Sequence, residues 1–172
     1  MKILISLSLA FLTLFANEIH NIQTYKADFK QIITNQSNKD IVYNGKIFIK
    51  SPFSILWIYD EPIVKYVYIN DNKVSIIEPD LEQAIITKLS QEINIFKLLT
   101  ESKKISDELY KNTVNNIEYS MIIKNNQLKQ ITYKDEIDNN VNINFSNIKQ
   151  NINIDNNKFK YEIPYDYDII RK

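Results

Sequence analysis

From Thr24 onward the chain alternates apolar and polar residues with a period of two. Tyr25, Ala27, Phe29 and Ile33 share one side, with Lys26, Asp28 and Lys30 opposite and Gln31 as the polar exception on the apolar side. After a polar turn over residues 35–40, Ile41, Tyr43, Gly45, Ile47 and Ile49 alternate with Asn44, Lys46 and Lys50. The same rhythm returns at Ile117, Tyr119, Met121 and Ile123, then in residues 128–133, then at Val141, Ile143 and Phe145. Alternation of this kind marks antiparallel strands with one wet face. Phe159, Tyr161 and Ile163 predict a last short strand before Pro164. Asn125-Asn126 predicts a tight hairpin turn, since such turns need positive φ at both central residues.

The middle of the chain follows a different rule. Residues 54–59 read Ser-Ile-Leu-Trp-Ile-Tyr, apolar on both faces, and residues 64–69 and 74–77 are similar. Strands apolar on both faces must be covered twice. The candidate cover is residues 92–100, where Ile93, Phe96 and Leu99, flanked by Ile95 and Leu98, form an amphipathic helical stripe without Pro or Gly. A second short helix is expected near Asn17, from Glu18, Ile19 and Ile22. About ten strands and one or two helices predict a mostly β fold, a strongly curved antiparallel sheet with a helical layer packed into its concavity.

The start of the chain has the form of a secretory signal peptide. Met1-Lys2 is a short basic region, residues 3–15 are an apolar run broken by Ser6, Ser8 and Thr13, and Ala16 suits cleavage. Residues 1–16 are therefore expected to be removed, leaving residues 17–172 as one domain. No other segment is apolar enough to span a bilayer as a helix.

Composition narrows the chemistry. There is no cysteine, so disulfides, thiolate metal sites, a thiol nucleophile and an acylated cysteine are all excluded. The 21 basic residues balance 21 acidic ones, which leaves no basic footprint for nucleic acid. With a single glycine, the turns must rely on Asn and Asp, which tolerate positive φ. His20 is the only histidine and reads as a surface residue. Asp60-Glu61 and Glu78-Pro79-Asp80 are carboxylate pairs beside prolines, and they read as turn formers ahead of glycosidase acids. No phosphate loop or nucleophile elbow is present. The expectation is a non-enzymatic protein without cofactor or metal.

What stands out is a surplus of apolar and aromatic side chains. Phe29, Phe48, Phe53, Trp57, Tyr59, Tyr66, Tyr68, Ile77, Ile93, Phe96 and Leu99 are the candidate set for a lipid-binding cavity and its lid. A packed core between sheet and helix accounts for the same periodicity, and a helix resting on a concave sheet serves as either. If the helix moves, the exposed pocket suits acyl chains, each buried methylene gaining about 0.8 kcal/mol.

At Asp28-Phe29-Lys30-Gln31 the chain begins to resemble the LolA family of periplasmic outer-membrane lipoprotein carriers. The family's Phe-x-Gln, glycine-containing strand, Lys-x-Pro segment and Trp strand closed by Pro are similar to Phe29-Lys30-Gln31, Gly45, Lys50-Ser51-Pro52 and Trp57 to Pro62. Glu78-Pro79-Asp80 followed by Gln83, and the tail from Phe159 to Ile170, continue the resemblance. It implies an incomplete, open antiparallel β-barrel with helices covering its concave apolar face. It also implies a monomeric periplasmic chaperone, whose cavity takes the acyl chains of acylated lipoproteins from the inner-membrane Lol ABC transporter. The cargo would then pass to the outer membrane, to a receptor where one exists. Two positions depart from the family: Ser51 stands where well-known members carry an arginine thought to latch the lid, and Leu56 where many members carry a polar residue, often arginine. Neither can replace a guanidinium fork. The alternative is a binding or sensor domain for free lipid or glycolipid on the same fold.

Overall fold

The computed structural model describes residues 22–88 and 95–172. The expected leader at residues 1–16, the helix expected near Asn17, and Ile93 lie outside them. Twelve strands make one sheet. In chain order they are β1 Thr24–Thr34, β2 Asp40–Lys50, β3 Ser54–Glu61, β4 Lys65–Asn70, β5 Lys73–Glu78, β6 Gln83–Lys88, β7 Lys103–Lys104, β8 Leu109–Val114, β9 Ile117–Lys124, β10 Gln127–Lys134, β11 Asn140–Gln150 and β12 Asp168–Arg171. The helix α1, Ile95–Thr100, lies between β6 and β7. Across the sheet the order is β12-β6-β5-β4-β3-β2-β1-β11-β10-β9-β8-β7. All pairings are antiparallel except β12 on β6, and the two edge strands do not meet, so the sheet stays open.

The turns follow from composition. Ten described non-glycine residues have positive φ, and all except Glu82 are Asn or Asp. Asn125 and Asn126 close the β9–β10 hairpin as expected, and Asn115 and Asn116 close β8–β9 in the same way. Bulges interrupt the ladder between Lys26 and Asp28, between Asn44 and Gly45, and between Leu128 and Gln130. Each adds local bend and twist, which long strands need in order to curl.

One face is concave. Its apolar cluster runs without a break from Val74 on β5 to Met121 on β9, with six strands between them in the sheet, and Ile95, Leu98 and Leu99 of α1 lie inside it. The Tyr25 hydroxyl, on β1, reaches past β11 to donate to the Leu128 carbonyl of β10 at 3.0 Å. The opposite face of β2–β4 carries a second cluster, Phe48 and Leu56 packed with Ile154 and Phe159, with Ile58, Tyr66, Tyr68 and Ile152 around them.

Two sequence expectations change here. Residues 159–163 are not a strand. Asn156–Phe159 is a single 3₁₀ turn, capped by the Asp155 carboxylate accepting from the Asn157 amide, and the last strand is β12. The second apolar face of the central strands is covered by this C-terminal segment, while the helix occupies the concave side. Strands β6, β7, β8 and β12 also have too little alternation to be read from the chain: β6, for example, reads Gln-Ala-Ile-Ile-Thr-Lys.

Candidate functional site

Strand pairing sorts the candidate residues by face. Phe29, Trp57 and Tyr59 point into the concavity, together with Leu99 of α1. Phe48, Tyr66 and Tyr68 belong to the convex cluster, and Ile77, paired with Tyr66, shares that face. Phe53 sits in the β2–β3 turn, half-exposed. Phe96 lies within α1. The structure thus brings four candidates together and separates four others from them by the thickness of the sheet.

The concave aromatic residues form a connected floor. The Phe29 ring meets Trp57 edge-on at 5.0 Å and Tyr59 at 5.1 Å. Trp57 lies 6.3 Å from Phe145, which meets Tyr25 at 6.0 Å. Gly45 makes this packing possible. A Cβ at that position would run into the Ile58 carbonyl and approach the Phe29 ring at 2.9 Å. The phenylalanine, the glycine and the tryptophan strand, far apart in the chain, therefore meet at one place.

Exposure along this face is graded. At the end nearest the β2–β3 and β9–β10 turns, Ile49, Ile55, Ile69 and Leu128 are all 2% exposed or less. At the other end Ile33, Tyr43, Tyr59, Val114, Ile117 and Tyr133 are only partly buried against the cluster, and Ile41 is 50% exposed. The register joins these residues into a rim: Ile33 lies opposite Ile41 and Val141, Val141 opposite Tyr133, Tyr133 opposite Tyr119, and Ile117 opposite Val114. The concave face is closely packed at one end, where Ile22 is the partly buried residue among those described, and presents an apolar, tyrosine-rich mouth at the other. Of the mouth residues, the sequence selected Tyr59 and placed Ile33, Ile41, Tyr43, Ile117 and Tyr133 on strands without selecting them, while Val114 lies on β8, which the sequence did not predict. Their signal was the alternation itself, joined to a register that only pairing reveals.

Polar groups in the concavity are few. Gln31 is buried on this face. Lys65 lies opposite Tyr59, with its ammonium 4.3 Å from the Tyr59 ring centroid and 5.4 Å from that of Tyr43. Burial pushes the Tyr25 phenol far above its ordinary pKa, so it stays a neutral donor. Among the described residues no group of three or more His, Cys, Asp or Glu could hold a metal, and no helix is long and apolar enough to cross a membrane. Such a face can hold apolar chains by burial and aromatic contact. Leu56, one of the two departures noted above, pairs with Phe48 and Tyr68 on the convex side, away from α1.

Comparison with known proteins agrees with this arrangement. The family described as outer membrane lipoprotein carrier protein LolA matches residues 20–121. An outer-membrane lipoprotein carrier protein of Campylobacter jejuni is 37% identical over 158 residues, covering 92% of each chain. One of Helicobacter pylori is 36% identical over 156 residues, covering 90% of this chain and 83% of that protein. Among solved structures, a LolA superfamily protein of Nitrosomonas europaea superposes with a TM-score of 0.55 at 11% identity, covering 85% of this chain and 94% of that one. That likeness speaks for the fold, as the two sequences above speak for descent. By sequence match and by its open, helix-lined sheet, the chain belongs to the LolA family of outer-membrane lipoprotein carriers.

Proposed function

We propose that this protein is a periplasmic carrier that shelters the acyl chains of outer-membrane lipoproteins in the concavity of its sheet, entering past Ile33, Ile41, Ile117 and Tyr133. The observation that carries this reading is the graded burial of the concave face. A core made for stability alone would be closed at both ends, because half-exposed apolar surface gives up burial energy of about 25 cal/mol per Å². Family membership supports the choice of lipoprotein as cargo.

The cycle is one of transfer without bond chemistry. Cargo comes from an inner-membrane Lol ABC transporter, travels with its chains buried, and leaves at the outer membrane. The protein works as a monomer and catalyses nothing. Ser51 in place of arginine implies that α1 is held by apolar contact more than by a guanidinium latch. The membrane-facing partners are part of this reading. The sequence reading of residues 1–16 as a secretory leader supports the compartment.

The test is extraction and mass spectrometry of what the purified protein carries, paired with depletion in cells. Triacylated peptide in the extract and lipoproteins stranded at the inner membrane are the expected results. Normal sorting after depletion would overturn the carrier role. Free lipid as the sole extract would favour the binding-domain alternative.

A further inference from the structure

Lys65 is a charged feature of the mouth that apolar chains do not explain. Its side chain stands on the concave face, part-buried, with the ammonium held over Tyr59 and Tyr43 and those rings in turn packed on the aromatic floor. The neighbouring acids are committed elsewhere. Asp60 pairs with Lys46 on the convex side at 3.6 Å, and Glu61 accepts from Asn44 at 3.4 Å. Among the described residues no carboxylate lies within ion-pair distance of Lys65. The rings supply part of what a cation loses on leaving water, on the order of 0.5–2 kcal/mol. They do not neutralise it, and a part-buried cation beside apolar surface favours an anion.

From this placement we infer that Lys65 is a specificity residue for an anionic group, phosphate or carboxylate, attached at the root of an acyl chain whose hydrocarbon lies on Phe29, Trp57 and Tyr59. The inference rests on the reading of the concavity as the acyl site and adds a second ligand class to it, single-chain or phospholipid-type lipids with an anionic head, beside the neutral acylated cysteine of the cargo. Chain and anion cooperate in this arrangement: the aromatic floor fixes the chain, and Lys65 selects among chains by what they carry.

The test uses two single-chain probes with the same acyl group, lysophosphatidylglycerol and monoacylglycerol, below their micellar concentrations, with glycerol phosphate as the chain-free anion. The full-length protein should bind the anionic probe about tenfold more tightly than the neutral one, and glycerol phosphate not measurably. Lys65→Gln should bring the ratio near one by weakening the anionic probe alone, and Lys65→Arg should preserve it. A ratio near one in the unsubstituted protein overturns the inference without any variant, and leaves the acyl site standing if both probes bind. A ratio that survives Lys65→Gln overturns the assignment to Lys65. If neither probe binds, the acyl site itself is refuted and the inference with it. Tight binding of glycerol phosphate alone would show an anion site with no part in lipid selection, which also overturns the proposal.

Discussion

The central strands carry two apolar faces of similar composition, and the two are covered by different means. On the convex side the C-terminal segment is tied down by hydrogen bonds as well as by packing. The Lys50 ammonium donates to the Ile154 carbonyl at 2.7 Å, Thr24 Oγ1 to Ile152 at 2.7 Å, and Asn70 Nδ2 to Phe159 at 3.1 Å. On the concave side α1 is six residues long, buries Ile95, Leu98 and Leu99, and receives from the strands a long 3.5 Å contact, Asn112 Nδ2 to the Leu98 carbonyl. That separation is at the outer limit for a hydrogen bond. Apolar contacts such as those of Ile95, Leu98 and Leu99 can be exchanged for those of another apolar partner at little cost. The hydrogen bonds that tie down the convex cover cannot be exchanged in this way, so the two covers differ in how readily a ligand replaces them.

Substitutions can break this contrast. The largest effect is expected from Trp57→Glu, which places a carboxylate in the aromatic floor at a cost of several kcal/mol. Acyl binding should be lost, and a folded variant that still binds would remove the concave site from consideration. Phe159→Ala should lower stability by about 3–5 kcal/mol in chemical denaturation while acyl affinity of the folded protein stays unchanged. A parallel loss of affinity would show that the two faces are not separate. Ile117→Glu, at the half-exposed mouth, should weaken acyl binding about tenfold, worth about 1.4 kcal/mol, with the melting temperature moving only a few degrees. The reverse pattern would make Ile117 a core residue.

Two smaller effects sharpen the comparison. Tyr25→Phe should cost about 1 kcal/mol at neutral pH by leaving the Leu128 carbonyl unpaired. The folded phenol titrates above the ordinary value of 10.0 because burial disfavours the charged form. Stability from this group is therefore complete below pH 10.0 and is lost progressively as pH rises above it toward the folded value. The unfolding free energy, followed as a function of pH, should fall steeply in that alkaline range for the unsubstituted protein, and less steeply for the phenylalanine variant. The smallest effect is expected from Ile41→Ser, at the half-exposed lip of the mouth, under about 0.5 kcal/mol in stability. A cost as large as that of Phe159→Ala would mean the mouth is packed as firmly as the convex face.

Much of the fold was legible because alternation survives wherever one face is wet. β1, β2, β9, β10 and β11 stand where the period of two placed them, and Asn and Asp hold the positive-φ turns that a chain with one glycine must build. The apolar runs at 54–59, 64–69 and 74–77 became β3, β4 and β5 as well, while β6, β7, β8 and β12 and the C-terminal segment were not legible. Phe159, Tyr161 and Ile163 alternate as a strand would, yet the Asp155 cap on Asn157 turns the backbone into a 3₁₀ turn and drops Phe159 onto Phe48 and Leu56. The Tyr161 ring then lies 5.6 Å from that of Tyr68.

By itself, the chain determined that residues 54–59 need two covers and that successive side chains there point in opposite directions. It could not determine which direction is inward. Trp57 and Leu56 are neighbours of equal greasiness, and concavity arises only when bulges, register and a wrapped sheet act together. Lys50 and Ile154 are 104 positions apart, so the bond that commits the convex face to permanent packing exists only after folding. Local sequence encodes period and turn. Which face remains available to a ligand is set by what the rest of the chain brings to the other one.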